Sequence, residues 1–285
     1  FSAQQYEESI TFSPKRNDCH TSGRNYLKPY EACKYFNENI TWASFGDSHT
    51  VEVAYSIARL IEKSNEGLVQ LSFSSCAPAL TFELRNKDCA NWLKESLEYL
   101  EENKGIKNVL LGFRYSAFLF GDQLKKFPEI PNESPINKFD KSYSSLKPDE
   151  LRKEYWDSFK VILERLIASG KRVFILYPIP ELPVDIHKAV APFSIFHSLP
   201  WVNLTRSTNR EYYFARNEFI LSNLDKLNYG KQLVAIKPYE ILCQNDFCPS
   251  TLKDNALYFD DDHLSVIGAK LLVEKSIIKE YAYQD

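Results

Sequence analysis

The stretch Ile40-Thr41-Trp42-Ala43-Ser44-Phe45-Gly46-Asp47-Ser48-His49 decides the fold. Ile40, Trp42, Ala43 and Phe45 form an apolar run rich in β-branched and aromatic side chains, which reads as a strand. After the small polar residues Gly46, Asp47 and Ser48, apolar residues recur at Val51, Ala54, Tyr55, Ala58 and Ile61. Spacings of three and four are those of one helix face held against a sheet. Ser48 therefore stands where a strand hands over to a helix. There a hydroxyl has unpaired backbone N–H groups beside it, which favour negative charge developing on a bound ligand.

Outward from this unit the same alternation repeats. Strands are expected at Leu68 to Phe73, Lys107 to Tyr115, Arg172 to Tyr177 and Leu233 to Ile236. Helices are expected at Cys89 to Lys104, Asp149 to Ala168 and Thr208 to Leu227, with a last one behind Ser265 carrying Ile267, Leu271, Leu272 and Ile278. Five strands alternating with helices predict a mainly parallel sheet with helices on both faces. In such sheets a site gathers at the carboxyl ends of the strands. Pro178, Pro180 and Pro183 take the chain off the sheet after the fourth of these strands. The polar residues 1–38 are expected to be an extension, and residues 39–285 the main domain.

The second informative stretch is Tyr258-Phe259-Asp260-Asp261-Asp262-His263-Leu264-Ser265. An imidazole serves as general base to a serine when a carboxylate fixes its tautomer, and Asp260 stands three residues before His263. Ser48, Asp260 and His263 are thus the candidate catalytic triad. Asp261 and Asp262 are read as solvated neighbours, His49 as a helix-start or supporting residue, and Asp47 as support for the turn.

Gly46-Asp47-Ser48-His49 together with Asp-x-x-His-Leu-Ser and Gly268-Ala269 resembles the SGNH (GDSL-like) hydrolases. These fuller strings resemble more particularly the SGNH domain fused behind the acyltransferase-3 membrane domain of bacterial O-acetyltransferases, those modifying lipopolysaccharide O-antigen among them. The resemblance implies a three-layer α/β/α, flavodoxin-like fold. It implies a periplasmic domain of an inner-membrane protein, with the acyltransferase-3 domain upstream in the same chain and residues 1–38 either linking the two or acting as a tether. It also implies transfer of an acetyl group from Ser48 to a sugar hydroxyl of a surface polysaccharide. No cofactor is expected to be bound; the acetyl group, ultimately from acetyl-CoA, would arrive through the membrane domain. A carbohydrate acetylesterase and a non-catalytic glycan-presenting module are the alternatives, because a serine triad does not choose between water and an alcohol.

Two departures from the broad family concern the oxyanion. Where the family supplies a glycine N–H, this chain has Ser74-Ser75-Cys76, so Ser74 or Ser75 is the expected backbone donor. Where the family has Gly-x-Asn-Asp, this chain reads Gly112-Phe113-Arg114-Tyr115. Arg114 either orients the substrate or stabilises charge at the oxyanion site, or is a structural arginine paired with a carboxylate.

The 285 residues, 44% of them hydrophobic, suffice for a large core. A net charge of −3 offers no basic surface for nucleic acid. The chain opens at Phe1 and contains no Met, which reads as a piece of a longer product, and no apolar run is long enough to span a membrane. Cys19, Cys33, Cys76, Cys89, Cys243 and Cys248 form three close pairs; local pairing is the simplest of the fifteen connectivities and suits an oxidising compartment. Zinc is the rival reading, without a Cys-x-x-Cys to support it. The segments 116–148 and 178–207 are expected to be loops, the latter carrying His187, His197 and Trp201 as candidate groove residues. The sequons at Asn39, Asn132 and Asn203 would matter only in a eukaryotic secretory pathway.

Overall fold

The structure is a computed structural model, and it describes residues 3–81, 86–121, 128, 147–191, 201–202 and 207–282. Its centre is a six-stranded sheet: β1 (Lys34–Tyr35), β2 (Ile40–Gly46), β3 (Gly67–Ser72), β4 (Asn108–Gly112), β5 (Arg172–Leu176) and β6 (Leu233–Ile236), in the order β1-β3-β2-β4-β5-β6. The five strands expected from the sequence run parallel. The sixth, β1, comes from the N-terminal extension and pairs antiparallel with β3, Lys34 opposite Val69. Two residues are too few to carry a periodicity, which is why the sequence gives no sign of this strand.

Alternation along the strands sends side chains to two cores. Ala43, Phe45, Val69, Leu71, Val109, Leu111, Val173 and Ile175 face one side. They are covered by α2 (Lys87–Glu102), α3 (Pro148–Ala168) and α4 (Arg210–Leu224). Trp42, Leu68, Leu110, Phe174 and Leu176 face the other, under α1 (Val51–Ile61) and α5 (Val266–Ala282). The result is three layers. Helix starts are fixed by side chains: Asn86 Oδ1 accepts the Cys89 N–H at 3.2 Å, Asn209 Oδ1 the Glu211 N–H at 2.8 Å, and Ser265 Oγ the Gly268 N–H at 3.0 Å.

Segments 3–38 do more than lie on the surface. Tyr6 is buried and donates to the Ile186 carbonyl at 3.0 Å, and Thr21 bridges in parallel to Phe73 just beyond β3. The three disulfides join Cys19 to Cys33, Cys76 to Cys89 and Cys243 to Cys248. With all six sulfurs bonded, none is free to ligate zinc. Among the described residues no helix is long and apolar enough to cross a membrane. Most of the expected loop 116–148 lies outside the described residues, as do His197, the side chain of Trp201, Asn132 and Asn203; Tyr115–Phe120 forms a short helix, and His187 is exposed.

Candidate active site

The carboxyl ends of β2 and β4 approach so closely that only glycine fits. A Cβ on Gly46 would meet the Gly112 carbonyl oxygen at 1.8 Å. The Asp47 carboxylate locks the turn that follows: Oδ1 accepts the His49 N–H at 3.0 Å and Oδ2 the Arg114 N–H at 2.7 Å. Burial pushes the Asp47 pKa up, countered by His49 and by those two donors. The turn role expected for Asp47 agrees with this geometry. The Asp47 carbonyl accepts the Thr50 N–H at 3.2 Å. Ser48 opens this turn, and among the described residues no acceptor takes its N–H, leaving it as the helix-start donor nearest the hydroxyl.

His263 reaches this turn from the loop before α5. Its Nε2 lies 2.7 Å from Ser48 Oγ, and its Nδ1 lies 2.7 Å from Asp260 Oδ2. Asp260 Oδ1 accepts the backbone N–H groups of Asp262 and His263 at 3.0 and 2.7 Å, which fixes the loop that carries the imidazole. Phe259 stacks on the His263 ring at 5.2 Å, and the Arg16 guanidinium lies over Phe259 at 4.9 Å. Arg16 is itself held by both oxygens of Glu52, at 2.9 and 2.7 Å. A hydroxyl, an imidazole and a carboxylate so joined can pass a proton from the serine as its oxygen attacks an acyl carbon.

Asp262 is not a solvated neighbour. It is 4% exposed, and its Oδ1 lies 3.0 Å from His263 Nδ1. Its Oδ2 lies 3.1 Å from His49 Nε2 and 2.8 Å from Arg114 Nε. Arg114 also pairs with Glu181, and Glu181 with the buried Arg216, so the cluster runs from the loop carrying His263 to α4. Arg114 is thus paired with two carboxylates, the arrangement expected of a structural arginine. Burial opposes the charge on Glu181, but Arg114 and Arg216 outweigh it and keep its pKa lowered. Asp261 is half-buried; its carbonyl accepts the Leu182 N–H at 2.6 Å, and burial with its two aspartate neighbours pushes its pKa up to about 7.

The Ser74 N–H donates to the Thr21 carbonyl at 2.8 Å, so it is turned towards the N-terminal segment and not towards a ligand. The extension, unread as a partner of this loop, takes the donor. Ser75 is exposed, with φ of 52°. The sequence reading missed Glu181, Arg216 and the bonding of His49. The available signals were a carboxylate set among prolines and a histidine directly after the candidate nucleophile. His49, Asp262 and His263 bring three potential ligand atoms within 4.8 Å of one another, but Asp262 is already hydrogen-bonded to His49 and lies 3.0 Å from His263 Nδ1.

The profile of the family described as "SGNH domain (fused to AT3 domains)" matches residues 18–275. No curated protein matches the chain in sequence. Among solved structures, the periplasmic domain of a lipopolysaccharide acetyltransferase from Salmonella ser. Paratyphi A is similar at 13% identity over 94% of this chain and 92% of that one, with a TM-score of 0.63. A putative acylhydrolase from Bacteroides fragilis (8% identity, 94% and 93% covered, TM-score 0.43) and a GDSL-like lipase from Bacteroides thetaiotaomicron (11%, 86% and 89%, 0.42) are more distant.

Proposed function

The chain belongs to the family of SGNH domains fused to AT3 domains, and from that premise we propose that it is a serine O-acyltransferase acting on a sugar hydroxyl. The observation that carries this reading is the unbroken line Ser48 Oγ, His263 Nε2, His263 Nδ1, Asp260 Oδ2, with 2.7 Å at both hydrogen bonds. In the first half-reaction Ser48 Oγ bonds the acyl carbon of an acyl donor, its proton passes to His263 Nε2, and the imidazolium returns that proton to the leaving group. In the second, His263 takes a proton from a sugar hydroxyl, whose oxygen bonds the acyl carbon. The Ser48–acyl bond breaks, and the proton goes back to Ser48. Asp260 holds the imidazole in the tautomer that presents Nε2 to the serine. The Ser48 N–H is the nearest donor for the oxyanion, a role in which one fixed donor contributes about 3 kcal/mol.

Fusion to AT3 domains in the family supports a membrane domain as the source of the acetyl group, drawn ultimately from acetyl-CoA, and the Salmonella neighbour supports a periplasmic setting and lipopolysaccharide as acceptor, within which the O-antigen is our own assignment. Incubation with an acetyl donor and purified cell-surface oligosaccharide, followed by mass spectrometry, tests the reading. Acetylated sugar, lost in Ser48→Ala, is the expected result. Free acetate without acetylated sugar would make the domain an esterase.

A further inference from the structure

Two carboxylates, not one, address His263 Nδ1. Asp260 Oδ2 is at 2.7 Å and Asp262 Oδ1 at 3.0 Å. Their surroundings differ. The Asp260 side chain is 27% exposed, so water screens its charge, whereas that of Asp262 is 6% exposed. A charge in the drier site acts more strongly at the same distance. The far oxygen of Asp262 is braced by His49 from the turn after β2 and by Arg114 from the end of β4. Behind Arg114, Glu181 and Arg216 complete a buried chain of alternating charge. An aspartate needed only to neutralise Arg114 has no reason to place its other oxygen on the catalytic imidazole.

We propose that Asp262 is a second carboxylate partner of His263, a positioning residue that holds the imidazole on Ser48 and shares with Asp260 the stabilisation of the imidazolium. The proposal rests on the serine acyl-transfer reading above. It assigns to His49 and Arg114 the task of holding Asp262 in place. Its consequence is redundancy: loss of Asp260 alone leaves one carboxylate on Nδ1.

The groups facing His263 are Asp260 and Asp262 on its own loop, Asp47 and His49 from the turn after β2, and His20 from the N-terminal segment, with Arg114, just past β4, behind Asp262. Burial disfavours a charged His263, but attraction to Asp262 and hydrogen bonds to both aspartates outweigh it, so its pKa is raised above the ordinary 6.5. The neutral imidazole is the form that accepts the serine proton. A raised pKa therefore moves the rising limb of activity to higher pH, and removing a carboxylate charge moves it back down.

The test uses p-nitrophenyl acetate as probe, with kcat/KM measured across pH for the wild type, Asp262→Asn, Asp260→Asn and Ser48→Ala. Expected are a rising limb above pH 6.5 in the wild type and a midpoint lower by about one pH unit or more in Asp262→Asn. Asp260→Asn is expected to retain turnover above the Ser48→Ala level, lost when Asp262→Asn is added. An unchanged midpoint in Asp262→Asn, or Asp260→Asn as inactive as Ser48→Ala, would overturn the proposal. Nitrogen NMR titration of His263 in the wild type and in Asp260→Asn decides the matter if Asp262→Asn does not fold. An imidazole that titrates at or below 6.5 in Asp260→Asn rules the second carboxylate out. That titration needs no turnover, so it stays informative even if Ser48 proves not to be the nucleophile.

Discussion

Asp47 illustrates how a residue beside the chemistry matters without entering it. Its two oxygens tie the turn bearing Ser48 to the end of β4, through the N–H groups of His49 and Arg114. Both donors are neutral amides meeting a buried carboxylate, and each such bond is worth more than a neutral pair. Asp47→Ala leaves those donors without their acceptor. We expect a loss of about 2 kcal/mol in a urea denaturation curve, and a fall in activity larger than that stability loss explains, because Ser48 loses its fixed place. Of the residues here, Ser48, Asp260 and His263 were legible because strand-turn-helix patterning and the Asp-x-x-His spacing both survive in one dimension. Asp262 was not. Three consecutive aspartates are alike in sequence, and only the folded loop shows which one turns inward. Arg114 was ambiguous for the same reason: its partners Glu181 and Asp262 are far along the chain, and charge pairs at long range leave no local pattern.

At the scale of elements, the five parallel strands and the helices between them were readable from periodicity, with ends that shifted by a few residues. The strand expected to run to Tyr115 stops at Gly112, since Asp47 captures the Arg114 N–H and a short helix starts at Tyr115. The helix expected from Thr208 begins at Arg210, because Asn209 caps it while Thr208 and Asn209 pair with Cys248 and Phe247. The Cys76–Cys89 bridge ties the loop after β3 to the first turn of α2, and both residues are fully buried. Its closed loop of about 15 residues predicts that Cys76→Ser with Cys89→Ser costs about 3 kcal/mol. Thermal melts of the oxidised wild type and the double variant measure this difference. Wild type under reductant should move towards the variant.

At the scale of the molecule, a central sheet carries a core on each face, and the site sits where the carboxyl ends of its central strands meet loops from both ends of the chain. The N-terminal segment takes part in this assembly. It supplies an edge strand, takes the Ser74 N–H, and sets Arg16 over the ring that stacks on His263. A boundary at residue 38 therefore marks a change in sequence character, while the packing continues across it. If segments more than two hundred residues apart form one acyl-transfer centre, intact-protein mass spectrometry after brief exposure to p-nitrophenyl acetate will show it. A single acetyl adduct is expected on the peptide containing Ser48, formed roughly 10⁴-fold or more slowly in His263→Ala and absent in Ser48→Ala. An adduct on any other residue, or one that forms as fast without His263, would contradict it.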